Sequence, residues 1–342
     1  MKTTLRPYLL NIIILALALV LSVAVGSVFI PPATLGRILF AQLPNANIIA
    51  DWPETFSVIL FRIRLPHAAL MMLTGAALAS SGAAYQGLFR NPLADPYLIG
   101  VASGAGLGAV LALALRWPND LFGLFTVPAA AFLGGAITVT LVYFLARVGK
   151  TVPTTTLILA GVAVSSFATS LTSFLMLRSN QELRRALAWL LGGSILSGWE
   201  PVLAMLPYLL LGMTILALSG HALNVLQFGE EQAQQLGLSV ERTKVLLLLA
   251  ASLTSAAAVA FAGVIGFIGL IVPHLVRIFW GSDYRHLIPL SILGGSSALL
   301  FADLIARIVL APQTLPVGIV TALAGAPFFL WVLRRARAQA YW

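Results

Sequence analysis

Nine stretches of this chain carry no Lys, Arg, Asp or Glu: residues 7–36, 65–89, 96–115, 121–146, 151–177, 201–229, 245–276, 286–302 and 308–333. A helix needs about 20 apolar residues to cross the hydrocarbon core of a bilayer, with about 17 near the lower limit. Lipid offers no partner to backbone N–H and C=O groups, so such a chain is confined to helices or to a closed barrel. These windows do not alternate and are far longer than the strands of a barrel, about 10 residues each. The expected fold class is all-α, a polytopic membrane helical bundle, with residues 1–342 forming a single transmembrane domain.

Composition agrees. Hydrophobic residues make up 60% of the chain and charged residues 9%, against about 25% charged in a soluble domain. The formal charge of +9 is therefore read as a topology signal, with no nucleic-acid partner. The absence of cysteine excludes disulfides and thiolate metal sites. Lys2 and Arg6 before an apolar run, with small residues near Ala24 and Gly26, imitate a signal peptide, but the run far exceeds the ~7–15 residues of a signal core. An uncleaved first span is expected.

The cations set the number of spans, because positive charge collects in the cytoplasm. Nine spans with the N-terminus inside would put the tail Arg334, Arg335 and Arg337 outside. The window 245–276 is long for one helix and is interrupted by Gly263, Gly266, Gly269 and Pro273. Divided into a span at about 244–264 and a shorter one at about 268–282, it brings the count to ten. Lys2, Arg6, Arg90, Arg147, Lys150, Arg242, Lys244, Arg277, Arg285 and the three tail arginines then lie inside, twelve cations against eight; nine spans invert the ratio. Both termini are expected in the cytoplasm.

This topology leaves one sizeable cytoplasmic loop, at about 219–244, and two outer segments, 31–63 and 178–193. Residues 223–236 can form two brief helices hinged at Gly229, with Glu230 and Glu231 favouring the N-terminus of the second and Gly237 closing it. A bland connector would need fewer residues, so docking surface and simple link both stand.

Two nucleotide motifs are imitated and fail. Gly149-Lys150-Thr151 looks like the end of a phosphate loop, but Phe144 occupies the place of the required first glycine. Gly104-Ala105-Gly106-Leu107-Gly108-Ala109 fits a loose dinucleotide pattern inside an apolar window with no preceding strand. Gly100, Gly104 and Gly108 read better as a stripe for close helix packing. The four histidines, His67, His221, His274 and His286, are scattered without HExxH or an acidic cluster, which argues against an enzyme.

Three polar features remain. Asp303 and Arg307 lie four residues apart, hence on one helix face; either alone at a bilayer centre would cost about 2.5–3.5 kcal/mol, and mutual pairing is the expectation. Ser166, Thr169, Ser170 and Ser173 follow helical spacing in the fifth window and either bond back to their own carbonyls or line a hydrated passage. Asn91-Pro92-Leu93-Ala94-Asp95-Pro96 breaks two small-residue-rich spans. Pro92 and Pro96 bracket a turn, and Asn91 and Asp95 are expected to cap the following helix, forming a rigid inner-face corner.

Arg64-Leu65-Pro66, GAALASSGAAYQGLFRNPLADPYLIGVASGAGLGA (75–109), WLLGGSI (189–195), LGLSVERTK (236–244), GFIGLIVPHLVR (266–277), ADLIAR (302–307) and LPVGIVTALAGAPFFLWVL (315–333) occur in this order. With these segments the chain resembles the FecCD-type (BtuC-like) permeases, the membrane subunits of binding-protein-dependent type II ABC importers for iron-siderophores, haem and cobalamin. The resemblance covers nearly the whole chain, and the family topology is also ten spans.

The resemblance implies a multi-pass permease of the cytoplasmic membrane, surrounded by membrane lipid and paired as a homodimer or with a sister permease. It implies two ABC ATPase subunits, which carry ATP and magnesium, and no cofactor on this chain. Glu230, Glu231, Leu236, Gly237 and Leu238 would couple to the ATPase, and an extracytoplasmic substrate-binding protein would dock at Arg64, His67 and Arg307. The family usually writes Arg-Leu-Pro-Arg where this chain ends in His67, and a neutral imidazole weakens that contact. Ser166, Thr169, Ser170 and Ser173 would line the translocation path, with an outer helix at about 182–190 gating it. Iron-siderophore is the first expected cargo, with cobalamin or haem next. The competing reading is an ion-coupled secondary transporter that uses Asp303.

Overall fold

Long apolar runs become the spans of this protein, and glycine- or proline-marked interruptions become its joints. The computed structural model describes residues 2–43, 51–115, 117, 120, 121, 124–149, 151–178, 183–194 and 196–340. Its helices, in order, are α1 (Lys2–Ala24), α2 (Pro32–Phe40), α3 (Glu54–Val58), α4 (Leu65–Leu88), α5 (Val101–Ala114), α6 (Thr126–Ala146), α7 (Thr154–Arg178), α8 (Leu183–Leu190), α9 (Glu200–Leu218), α10 (Gly220–Leu226), α11 (Glu230–Gln235), α12 (Val240–Ala262), α13 (Ile268–Trp280), α14 (Tyr284–Val309) and α15 (Val317–Ala340). A π-helical turn, Ile59–Arg64, leads into α4, and a 3₁₀ turn, Pro96–Ile99, precedes α5. Residues 120–121 and 124–125 pair as a minimal antiparallel ladder.

Seven helical stretches are long and apolar enough to cross a membrane, and Val101–Ala114, Ile268–Trp280 and Val317–Val332 are shorter apolar helices. Together they give the expected ten segments among the described residues. The window 245–276 divides as the glycines predict, into α12 and α13.

Small residues put α4 in the middle. Every residue from Thr74 to Gly87 is buried, enclosed by α14, α12, α13 and α9. A Cβ on Gly75 would strike the Gly295 carbonyl, one on Gly295 the Gly75 carbonyl, and one on Gly82 the Gly269 carbonyl. Lipid gives helices no hydrophobic reason to associate, so such close backbone approach supplies the packing. Polar side chains stitch the same centre. Tyr85 Oη lies 2.7 Å from Ser252 Oγ, while Gln86 donates to the Gly269 carbonyl at 3.2 Å and accepts from Arg277 Nη2 at 3.0 Å.

Non-helical backbone between α12 and α13 needs partners inside a membrane protein. Tyr97 supplies two: its hydroxyl donates to the Ile265 carbonyl at 2.8 Å and accepts from the Ile265 amide at 3.2 Å. The Val264 amide donates to the Trp189 carbonyl at 3.3 Å.

Two expectations about the opening of the third span are corrected. The window 96–115 is not one helix: Gly100 takes a φ of +86° and separates the 3₁₀ turn from α5. Gly100 therefore stands before the glycine stripe, not in it, although Cβ atoms on Gly100 and Gly104 would both meet Thr138 of α6, and one on Gly108 the Ala130 carbonyl. Of the two expected caps only Asp95 acts as one, accepting from the Tyr97 amide at 2.8 Å and capping the 3₁₀ turn. Asn91 instead accepts from the Leu93 amide at 2.9 Å, because two residues on is the reach of an Asx turn.

Candidate functional site

The loop at 219–244 forms the two short helices that its glycines foretell. Gly229 has a φ of +110° and separates α10 from α11, and Gly237 has a φ of +87° after α11. Glu230 and Glu231 occupy the first turn of α11, where the helix dipole favours them. Lys244 Nζ binds both oxygens of Glu230 at 3.1 Å. Phe228 and Leu236 flank α11 and are two-thirds exposed, at 66% and 67%. Gly237 and Leu238 close the loop, with the Leu238 amide donating to the Ala233 carbonyl at 3.0 Å.

On α7, Ser166, Ser170 and Ser173 donate to the carbonyls of Val162, Ser166 and Thr169, each at 2.9 Å. These three and Thr169 are exposed on the surface of the single chain. The bonds satisfy the hydroxyl protons and leave oxygen lone pairs facing outward. Ser165 and Ser166 share a cavity of about 420 Å³ with Asp95, Tyr97, Gly266 and Phe267. The Asn91–Pro96 corner thus has two characters: Asn91 and Pro92 are exposed, whereas Ala94 and Pro96 are buried and lead the chain back into the bundle.

At the other ends of α4 and α14, four polar residues converge. Asp303, 4% exposed, meets His67 Nε2 at 2.8 Å through Oδ1 and Arg307 Nε at 2.9 Å through Oδ2. The second contact is an ion pair whose angles fall short of a hydrogen bond. Arg307 also donates to the Ser22 carbonyl at 3.0 Å and its hydroxyl at 2.9 Å. Arg64 is buried, and its guanidinium donates to the carbonyls of Val23, Ala24 and Val28. Arg64, His67 and Arg307 line a cavity of about 470 Å³ with Ser27, Ser197 and Thr314.

Residues 14–335 match the model of the FecCD transport family. The chain belongs to that family. It is 42% identical over 329 residues to an uncharacterised ABC transporter permease, YvrB of Bacillus subtilis, covering 96% of this chain and 93% of YvrB. It is 48% identical over 288 residues to the cobalamin import system permease BtuC of Halobacterium salinarum, covering 84% and 76% respectively. Among solved structures it is similar to an inward-facing conformation of a metal-chelate type ABC transporter, with a TM-score of 0.80 at 30% identity, over 96% of this chain and 98% of that one.

As a FecCD permease the chain is an all-helical membrane subunit of an ABC importer complex, a family of permeases that work with partner subunits and are not themselves enzymes. The Asp303–Arg307 pair and the two-helix loop were legible in its sequence. His67 reaching Asp303, and Asn224 of α10 reaching Asp283 at 2.6 Å, were not. The one hint of the second is that an Asn and an Asp both stand in short polar breaks between apolar windows.

Proposed function

We propose that this chain is the translocating subunit of a binding-protein-dependent importer, paired with a second permease and driven by two ABC ATPase subunits that bind ATP and magnesium. The observation that carries the reading is the inner loop: Phe228 and Leu236 expose apolar surface on either side of an acidic helix, a surface suited to a protein cleft. Glu230, Glu231, Leu236, Gly237 and Leu238 form the contact. Both termini lie in the cytoplasm, in keeping with the count of twelve inner cations against eight.

The exposed hydroxyl face of α7, Ser166, Thr169, Ser170 and Ser173, lines the path between the two permeases. The outer cavity at Arg64, His67 and Arg307 receives the extracytoplasmic binding protein. Arg64 and Arg307 are both committed to carbonyls of α1, so His67, whose side chain is one-third exposed, is the most accessible of the three for that contact. The cargo is a metal chelate. Cobalamin stands first because the cobalamin permease of Halobacterium salinarum is 48% identical, ahead of the iron-siderophore that is the commoner cargo in the family, with haem next.

Reconstituted with its ATPase, the permease should show ATP hydrolysis stimulated by a binding protein loaded with cobalamin, iron-siderophore or haem. Gly237→Trp should abolish that stimulation with expression intact, since nothing lies within 4 Å of a Cβ there and the indole projects into the partner, whereas Gly237→Ala, which meets the same strain at a φ of +87° without the bulk, should keep it. Unaltered stimulation contradicts the coupling assignment. Uptake that persists without the ATPase would favour the ion-coupled reading through Asp303, which here is engaged by both His67 and Arg307.

A further inference from the structure

Helices α4 and α14 reach both faces of the permease, and we propose that they act as one rigid strut joining the inner loop to the outer polar cluster, with Asn224 as its inner joint. This rests on the importer reading above. Midway, Gly75 and Gly295 meet backbone to backbone, and Ser296 Oγ donates to the Met72 carbonyl at 3.0 Å. Neither helix can slide past the other without opening that contact, because close-packed interiors switch between discrete arrangements and do not deform smoothly. At the outer end His67 of α4 holds Asp303 of α14 at 2.8 Å.

The inner end is tied just as closely. Asn224 Nδ2 donates to Asp283 Oδ1 at 2.6 Å, and Asn224 Oδ1 accepts from the amide of Tyr284, the first residue of α14, at 2.9 Å. Gln227 Nε2 donates to the Gly87 carbonyl, in the last turn of α4, at 3.0 Å. A Cβ on Gly220 would strike the backbone of Tyr284 and Arg285, and one on Gly87 would strike Leu223 and the Tyr284 ring. Thus α10 is fastened to both helices, whereas α11 lies beyond the Gly229 hinge. From Asp283 to Asp303 the strut covers about 30 Å at 1.5 Å per residue. Helix α7, which carries the hydroxyl face, packs on α5 and α6 instead. A displacement of α11 therefore reaches the outer cluster through the strut and leaves α7 to be moved against it.

The chain has no cysteine, so spin labels can be placed on it without background from its own residues and before it is assembled with its partners. His221, Ile305 and Leu177 are exposed on α10, the outer part of α14 and the outer end of α7. In the full complex with its ATPase in lipid nanodiscs, with single-label variants giving the inter-subunit distances, the His221→Cys/Ile305→Cys distance should stay fixed on ATP binding. The His221→Cys/Leu177→Cys distance should shift. An equal shift in both pairs overturns the strut.

Asn224→Leu should lower ligand-stimulated hydrolysis several-fold, because the two part-buried hydrogen bonds that fasten α10 to the start of α14 are lost together, while the ATPase still co-purifies. It should also let the first distance vary with nucleotide, which a merely structural residue would not do. Wild-type stimulation in Asn224→Leu, in a complex whose wild type responds to its loaded binding protein, overturns the strut alone. A wild-type complex that no loaded binding protein stimulates overturns the importer reading, and the strut with it.

Discussion

Asp283 and Asp303 stand at opposite ends of α14 and are held in opposite ways. Asp283 caps the helix near water: its side chain is 35% exposed, Arg285 reaches it at 2.6 Å, and the Arg285 amide and Asn224 also donate to it. Hydrogen bonding from Arg285, with help from Asn224 and the Arg285 amide, holds its carboxyl well below the usual carboxylate range. Asp303 is buried, and its partners His67 and Arg307 come from two helices. Water can replace a partner lost at Asp283, but not one lost at Asp303. The same residue type is therefore an adjustable joint at one end and a fixed constraint at the other.

The sharpest way to break this contrast is Asp303→Ala, which strands Arg307 without its counter-charge. A destabilisation of about 3–5 kcal/mol is expected, read as a large fall in Tm in detergent; a wild-type Tm would mean that the cluster is not a constraint. The double variant Asp303→Leu/Arg307→Leu should recover a substantial part of that loss, because removing both charges leaves neither uncompensated. If the double variant is as unstable as the single, burial of charge is not what the cluster resists.

At the start of α14 Asp283→Ala should cost less, about 1–2 kcal/mol, as loss of a helix cap does. Asp283→Asn keeps the cap and isolates the charge. Because the folded pKa is depressed, the carboxylate stabilises the fold above its unfolded pKa of about 3.9 and that contribution is lost as pH falls below it. The Tm difference between wild type and Asp283→Asn should begin to narrow below about pH 4 and keep narrowing as pH falls toward the depressed folded value; a gap that stays constant with pH refutes the ionic part. Arg285→Ala should have the smallest effect, a Tm drop only just resolved, since Arg285 is exposed and surface pairs contribute little.

Local chemistry was legible in the sequence, and distant closure was not. The Asp303–Arg307 pair could be foreseen because four residues make one helical turn, and the α12–α13 division because glycines crowd one stretch. His67 and Asp303 are 236 residues apart, and no spacing rule joins them. Arg64 reads in sequence as an outer surface cation; in the fold it turns inward because the carbonyl end of α1 lies beside it. The hydroxyl row of α7 was visible as one face, yet the choice between back-bonding and an exposed wall needed the neighbours. Three of the four hydroxyls bond back, and the face they share is exposed on the single chain.

The carbonyl end of α1 has one further consequence, for the order in which the chain is made. Four carbonyls at a helix C-terminus lack partners within the helix. Here Val23 and Ala24 are served by Arg64, and Ser22 and Val25 by Arg307. The first of these arginines emerges from the ribosome some 40 residues later and the second some 280 residues later. Helix α1 is thus fastened late: its seat is complete only after the chain has been made through α14.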